Sequence, residues 1–281
     1  MPNWGECYVL PNGVIEVKSL TKLVLVGGVR VDQALMNHSI KFFSLRELYF
    51  WRVPLGDEEA IEYLISRCPL IQCITLNFLL LSTSDWGMKS LSMHGLLKLK
   101  TVDVQGIKEV HIDEAPSLEN FNCNHGDWDT PFMIEFIQCR NLKGLCLFSW
   151  NNTIMTDKWF LDLFQKFPFL ERLKLKNCKM SERINISSVQ LKVLELSLCY
   201  NLKEVNIDAP NLLSCVYRGR GVSKPIISFL RSSSQLEVDV QIRLDYLDIC
   251  NLSGFLQNIK PQNILTSLSL FIFQITTVSI N

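Results

Sequence analysis

The sequence predicts an α/β fold: a solenoid with one curved, mostly parallel sheet and with helices and short return strands on its convex side. Two observations lead to this prediction. First, the pattern L-x-x-L-x-L, with Ile, Val, Phe or Cys as substitutes, recurs along the chain. Second, polar residues alternate with the apolar ones, as in residues 170–176, which indicates a short strand with one buried face. Such a strand cannot bury that face alone, so consecutive copies have to stack.

The recurring pattern identifies the repeat. Two copies extend to L-x-x-L-x-L-x-x-C, ending at Cys178 and Cys199, and this longer form is the leucine-rich-repeat signature. Strong and weak copies together give a mean spacing of about 24 residues, within the usual range of about 20–29. The first positions of the copies are Leu20, Leu45, Ile71, Leu99, Leu118, Leu142, Leu170, Leu191, Leu212, Leu244 and Leu265.

The copies extend over nearly the whole chain. We therefore expect a single leucine-rich-repeat solenoid over 1–281, with 1–19 as a partial N-terminal repeat and 265–281 as a last, uncapped repeat. The amino-acid sequence alone leaves open the exact phase of the repeats between Ile71 and Leu118.

Further apolar pairs lie too close to a neighbouring copy to complete another coil. They are Leu91/Met93, Val110/Ile112, Ile184/Ile186 and Val205/Ile207. We interpret them as return strands on the opposite side of the solenoid. A longer likeness between 107–118 and 202–212 supports this phase.

Two segments have helical spacing instead. Residues 57–65 begin with three acidic side chains, which favour a helix N-terminus, and Pro69 ends the segment. Residues 157–167, followed by Pro168, repeat this plan. Some coils are therefore expected to return by a helix and others by a strand.

The pattern is least regular between Tyr217 and Gln235. We expect a loop here, with a surface turn at 218–220 and a short helix around 226–230. The repeat pattern is predicted to resume at Leu244.

Composition and charge argue against several classes of partner. The chain has 28 basic and 28 acidic residues, so its net charge is zero, and neither nucleic acid nor a membrane surface is an expected partner. Residues 1–10 lack the features of a secretory signal, and no apolar run reaches the roughly 20 residues of a membrane span. We expect a cytoplasmic or nuclear protein.

No motif indicates catalysis or a cofactor. The four histidines fall in different turns, and the sequence contains no G-x-S-x-G elbow and no glycine-rich phosphate loop. The ten cysteines form no C-x-x-C pair and are interpreted as free structural thiols rather than metal ligands. We expect no enzyme and no cofactor. Two alternatives are a hydrolase assembled from separate turns and a small-ligand sensor with a pocket near 217–244.

Outward strand positions on the concave face are the candidate binding sites. Tyr49 and Trp51 would supply an aromatic anchor, since these residue types dominate interface energies. Arg172, Lys174 and Lys176 would form a basic rung that could clamp a carboxylate or phosphate. The alternative is an ordinary solvated strand face. The predicted partner-binding residues are Tyr49, Trp51, Asp103, Asn122, Arg172, Lys174, Lys176 and Tyr246.

Three runs, at 18–23, 68–71 and 208–212, resemble the repeat region of plant F-box/LRR proteins. The resemblance implies a protein that captures a substrate with its repeats and docks an F-box on the adaptor of an SCF-type ubiquitin ligase. No segment here resembles an F-box, so only the partner-binding half is expected, without direct binding to the adaptor. Alternatives are a competitor that binds the same targets and a truncated, non-functional product.

Overall fold

The computed structural model divides the chain into two compact units, unit 1 (residues 1–143) and unit 2 (residues 144–281). Each unit has a main parallel sheet, a second, smaller parallel sheet and one longer helix, and unit 1 has in addition a four-residue helix and a two-stranded sheet near its start. The structure describes residues 8–15, 17–31, 33, 36, 42–54, 57–78, 88–124, 133–148, 154–220, 225–245 and 265–273.

The elements of unit 1, in chain order, are β1 (Tyr8–Val9), α1 (Asn12–Ile15), β2 (Lys22–Val26), β3 (Val29–Arg30), β4 (Glu47–Trp51), α2 (Glu58–Ser66), β5 (Cys73–Asn77), β6 (Met88–His94), β7 (Thr101–Gln105), β8 (Ile107–Asp113), β9 (Asn120–Asn124) and β10 (Met133–Ile137). The main sheet has the order β2-β4-β5-β7-β9. The return sheet has the order β6-β8-β10, and β1 pairs with β3.

The elements of unit 2 are β11 (Gly144–Phe148), α3 (Asp157–Lys166), β12 (Arg172–Lys176), β13 (Arg183–Ser187), β14 (Val193–Ser197), β15 (Glu204–Ala209), β16 (Ser214–Arg220), β17 (Ile226–Ser232), β18 (Glu237–Asp245) and β19 (Leu265–Phe273). Its main sheet has the order β11-β12-β14-β16-β18-β19, and its return sheet β13-β15-β17.

Both units follow one plan. A main strand is followed by a helix, and the next three main strands are each followed by a return strand. The four predicted return strands are confirmed as β6, β8, β13 and β15, and the two similar segments 107–118 and 202–212 contain β8 and β15. The predicted α/β solenoid with a parallel sheet is therefore confirmed. Its extent as one domain over 1–281 stays a prediction.

The core of each unit lies between its main strands and its returning elements. In β12, Leu173 and Leu175 are buried, whereas the alternate basic residues remain half-exposed. In unit 1, the ring of Phe121 on β9 meets that of Phe136 on β10 edge to face, with 4.8 Å between centroids. Burial of one strand face accounts for the leucine alternation in the sequence.

The two longer helices, α2 and α3, each begin directly after a capping Asp or Thr side chain. At the start of α2, Asp57 Oδ1 accepts a hydrogen bond from the backbone N of Glu59 at 2.9 Å. At the start of α3, the Thr156 side chain accepts from the backbone N of Trp159 at 3.4 Å. Each cap satisfies an amide that has no partner inside its helix. The longest helix of the described residues, α3, has ten residues, and none there is long and apolar enough to cross a membrane.

Replacing Asp57 with alanine is expected to lower the free energy of unfolding by about 1 kcal/mol, because the cap of α2 is lost. Urea denaturation followed by circular dichroism measures the loss. Asp162→Ala, an exposed change within α3, is the control and should cost less than about 0.5 kcal/mol. Equal losses in the two variants would contradict the capping role.

Acidic side chains of α2 and α3 also reach the first return strand of their unit. Glu58 Oε1 and Glu62 Oε1 on α2 accept hydrogen bonds from the backbone N of Lys89 and of Ser92, each at 2.6 Å. On α3, Asp157 Oδ1 accepts from the backbone N of Asn185 at 2.7 Å. The strands β6 and β13 are the first strands of their sheets. Helix side chains therefore satisfy backbone amides at the edge of each return sheet.

Many strands are followed directly by a residue of positive φ. Glycine adopts this backbone without strain, whereas other residues do so at a cost. The recurrence marks one turn geometry that carries the chain from a strand to the next element. The residues are Gly27, Arg52, Gly106, Asn177 and Leu198 after main strands, and Gly95, Glu114 and Gln138 after return strands.

The region after Tyr217 differs from the prediction. The helix expected around 226–230 is the strand β17, which pairs with β15, and the turn expected at 218–220 lies within β16. The repeat expected to begin at Leu244 begins earlier, because β18 pairs with β16 from Glu237 onwards. Pairing with a neighbouring strand determines the conformation of these short apolar runs more than their local pattern does.

Candidate functional site: the outer faces of the two main sheets

The predicted binding residues lie on the side of the main sheets that faces away from the core, here named the outer face. In unit 1 it carries Tyr49 and Trp51 on β4, Asp103 on β7 and Asn122 on β9. In unit 2 it carries Arg172, Lys174 and Lys176 on β12. Tyr246 lies outside the described residues.

The outer face of unit 1 begins with four neighbouring apolar side chains. The Tyr49 and Trp51 rings are stacked, with centroids 6.2 Å apart and planes 5° from parallel. The register of β2 with β4 places Val24 beside Tyr49 and Val26 beside Trp51. These valines are 46% and 58% exposed. We name this group (Val24, Val26, Tyr49 and Trp51) the aromatic patch.

Polar side chains cover the rest of this face and bind one another. Asn77 Nδ2 donates to Gln105 Oε1 at 2.9 Å, and Asn122 Nδ2 donates to Asp103 Oδ2 at 3.4 Å. Gln105 Nε2 lies 3.5 Å from the other oxygen of Asp103. The predicted residues Asp103 and Asn122 are thus brought together, but their hydrogen bonds are made within the sheet.

The outer face of unit 2 is built around one carboxylate. Glu195 on β14 is only 5% exposed. Lys174 Nζ lies 3.7 Å from Glu195 Oε2, and Lys176 Nζ lies 3.6 Å from Oε1. Arg218 Nη1 on β16 forms a further ion pair with Oε1. Three cationic groups from two strands therefore converge on a single acidic side chain.

Hydrogen bonds hold Arg218 in this position. Its Nε donates to Gln241 Oε1 at 3.0 Å, and its Nη1 lies 3.3 Å from Ser197 Oγ. Ser197 Oγ donates in turn to Glu195 Oε1 at 2.9 Å. The strand register sets Lys176, Ser197, Arg218 and Gln241 in one row across four strands. The guanidinium is thus oriented before any ligand binds.

These side chains surround an open hollow of about 500 Å³. Lys174, Lys176 and Arg218 lie on it together with Arg243 from β18, and Phe148 and Phe271 line it from β11 and β19. We name this site, with those six residues around Glu195, the basic hollow. Sequence alone does not indicate Arg218 and Arg243 as site residues, because residues 218–220 resemble a surface turn and the leucine pattern places the next repeat only at Leu244.

Opposing influences set the acidity of Glu195. Its burial alone would raise the pKa of the carboxyl, but the hydrogen bond from Ser197 and the charges of Lys176, Arg218 and Lys174 outweigh burial. The pKa of Glu195 therefore lies below its ordinary value of 4.5. The carboxylate stays ionised at neutral pH and keeps the three cations in place.

We expect the Glu195→Gln variant to be less stable than the wild type by about 2 kcal/mol at pH 7, because charged hydrogen bonds are lost. Because the folded pKa is depressed, these contacts contribute above pH 4.5 and are lost as the pH falls through the lower folded-state value. The wild type should lose stability across that window more steeply than the variant. Thermal unfolding at a series of pH values measures both slopes, and Glu237→Gln, at an exposed site on the same face, is the control. Equal slopes for wild type and Glu195→Gln would refute the expectation.

The two cysteines that end the leucine-rich-repeat signature, Cys178 and Cys199, both contact the backbone of a neighbouring strand. Cys178 Sγ lies 3.8 Å from the carbonyl oxygen of Leu147, and Cys199 Sγ lies 3.4 Å from that of Leu175. Each thiol thus reaches the backbone of the preceding main strand. A hydrogen bond with the Cys178 side chain holds the pKa of Cys199 below its ordinary value. Within the described ranges, no group of three or more His, Cys, Asp or Glu side chains is arranged to hold a metal ion.

Stacked parallel turns with exposed outer faces define a leucine-rich-repeat protein. The family of LRR repeats described for the FBD-associated F-box protein At5g56370 matches residues 1–149 of this chain, and the LRR domain of At1g61320/AtMIF1 matches residues 130–260. The chain belongs to the first of these families, whose match covers more than half of it. No curated protein matches the chain. The resemblance to the repeat region of F-box/LRR proteins is confirmed, and such repeats are protein-interaction modules.

Proposed function

We propose that this chain is the substrate-recognition region of an SCF-type ubiquitin-ligase receptor and that its protein partner docks on the aromatic patch. The observation that carries the proposal is the stacked Tyr49–Trp51 pair beside two exposed valines, within the family of F-box-associated repeats. In this role the chain binds a protein partner and catalyses no reaction itself, and the proposal requires it to be in the cytoplasm or nucleus.

The patch has the physical features of a binding anchor. Tyrosine and tryptophan are the residue types that contribute most to interfaces, and stacking limits the motion that would be lost on binding. The patch lies on paired strands, whose backbone is already ordered. Beyond the intervening strand β5, Asp103 and Asn122 offer a polar border whose hydrogen bonds are largely satisfied. An apolar centre with a polar border is the usual anatomy of an interface.

The first experiment asks whether the patch binds a protein. The full chain, immobilised, is used to capture partners from plant extract, and affinity for the captured partner is measured with purified components. Trp51→Ala is expected to weaken binding by about 2 kcal/mol, or roughly thirtyfold. Phe169→Ala, an aromatic residue that is 53% exposed and lies between α3 and β12, should bind like the wild type. Equal affinity of the Trp51 variant and the wild type would overturn the docking site.

The second experiment asks whether binding leads to ubiquitination. The chain is expressed in cells with and without an F-box joined to it, and the half-life of the captured partner is followed. The half-life should shorten only with the F-box present and Trp51 intact. If the partner is bound equally but its half-life is unchanged by the F-box fusion, the substrate-recognition role is wrong and a binding module remains.

A further inference from the structure

Positive charge is concentrated on the outer face of unit 2, although the chain as a whole has a net charge of zero. Alternation along β12, β14, β16 and β18 brings basic side chains to this face more often than acidic ones. Among the side chains that the structure describes on these strands, the basic ones are Arg172, Lys174, Lys176, Arg218, Arg220 and Arg243, and the acidic ones are Glu195, Glu237 and Asp239. The face is therefore complementary to an anion.

The charges of the basic hollow do not cancel internally. Lys174, Lys176 and Arg218 all contact the one carboxylate of Glu195, and three positive charges meet a single negative one. Among the described residues, Glu195 is the only acidic side chain that forms ion pairs with these three cations, so two of their positive charges have no ion-pair partner there. The Lys174 and Lys176 side chains are 43% and 35% exposed, so their ammonium groups remain accessible from the hollow.

A second pair of cations extends this surface. The register of β16 with β18 sets Arg220 directly opposite Arg243, and like charges in that arrangement destabilise a sheet. Both side chains are exposed, and neither has an ion pair with another of the described residues. An anion bound at the hollow, which Arg243 lines, would relieve this repulsion.

The hollow extends across all six strands of this sheet, a width of about 24 Å at the usual strand spacing, so it can take several residues of an extended peptide. The hollow of about 500 Å³ is open, and Phe148 and Phe271 come from the first and last strands of the main sheet of unit 2. The basic groups therefore lie on the strands between the two strands that carry these phenylalanine rings. An anionic group could reach the cations while adjacent apolar parts of the same segment contact the rings.

We infer that the basic hollow binds a phosphorylated serine or threonine of the partner protein, an inference that rests on the proposed function in taking the partner to be a protein. A phosphate monoester carries a charge of about −1.5 to −2 at neutral pH, which matches the excess left around Glu195, whereas a single carboxylate does not. Its three oxygens can accept hydrogen bonds from the pre-oriented Arg218 and from both lysines at once.

The test uses the full chain and fluorescent peptide pools that are identical except for the central residue: phosphoserine, serine or glutamate. Fluorescence anisotropy is expected to give at least tenfold tighter binding of the phosphoserine pool than of either other pool. The double variant Lys174→Met/Lys176→Met should lose at least tenfold of that affinity. The control Arg183→Met/Lys203→Met removes two charges from the return-strand side and should keep it. Circular dichroism checks that both double variants are folded.

A second readout does not depend on peptide sequence. Inorganic phosphate should raise the thermal unfolding midpoint of the wild type and of the control, but not that of the Lys174/Lys176 variant. Equal binding of the phosphoserine and serine pools would overturn the inference, as would equal binding of the glutamate pool or loss of affinity in the control. If these tests fail while partner binding still depends on Trp51, the inference is wrong and the proposed function stands.

Discussion

Replacing Phe121 with alanine is expected to lower the free energy of unfolding by about 4 kcal/mol. Phe121 is fully buried on β9, and its ring meets that of Phe136 at an angle of 87° with 4.8 Å between centroids. The pair connects the main and return sheets of unit 1. Alanine leaves a cavity in a core that can relax only in part, and it also removes the edge-to-face contact.

Urea denaturation followed by circular dichroism tests the loss. Met133→Ala, on the same return strand as Phe136 but at an exposed position, should cost no more than about 0.5 kcal/mol. Phe121→Leu keeps part of the volume and should fall between the two. If Phe121→Ala were no more destabilising than Met133→Ala, the proposed packing between the sheets would be wrong.

The second large effect is expected at Gly219, on the core-facing side of β16. A Cβ atom at this position would lie 2.7 Å from Tyr217 Oη and 2.9 Å from Tyr217 Cε1. Tyr217 is only 3% exposed, so its ring has little room to move away. Gly219→Val should therefore lower the free energy of unfolding by about 3 kcal/mol through overpacking.

A compensating change distinguishes this steric cause from other effects of losing a glycine. Val240 lies beside Tyr217 on the neighbouring strand β18, so valine is tolerated at this level of the core. Gly219→Val combined with Tyr217→Val should recover part of the stability lost in the single variant. Gly13→Ala, where no atom lies within 4 Å of the added carbon, is the control and should be nearly neutral. A Gly219→Val variant as stable as the wild type would disprove the clash.

Much of the fold follows from local pattern. Leu173 and Leu175 alternate with basic residues, and this alone predicts the strand β12 and its buried face. The acidic start at Asp57 and the stop at Pro69 predict α2. The strand β18 begins earlier than the leucine pattern predicts, because its core positions include the valines Val238 and Val240 and the buried Leu236 before them is one residue too close to fit L-x-x-L-x-L. Its register depends on pairing with β16, which lies more than twenty residues away along the chain.

Local pattern likewise predicts some residues of the candidate sites and leaves others unpredicted. Tyr49, Lys174 and Lys176 were predicted, because strand parity suffices to place them on the outer face. The convergence of Lys174 and Arg218 on Glu195 could not be predicted in this way, because it depends on how three separate turns stack. Val24 and Val26 could have been found: the leucines of β2 face the core, so the valines between them face outward.

The acidic side chains that α2 and α3 extend to the return sheets also affect how copies of this protein meet. An open strand edge is a template on which a strand of another molecule can pair, and such pairing leads to aggregation. At β6 and β13 the backbone amides of Lys89, Ser92 and Asn185, which could otherwise donate to a foreign strand, already donate to helix carboxylates. A second chain would have to displace these carboxylates first. The first strand of each return sheet is therefore protected against fibril-like growth by the helix that precedes it.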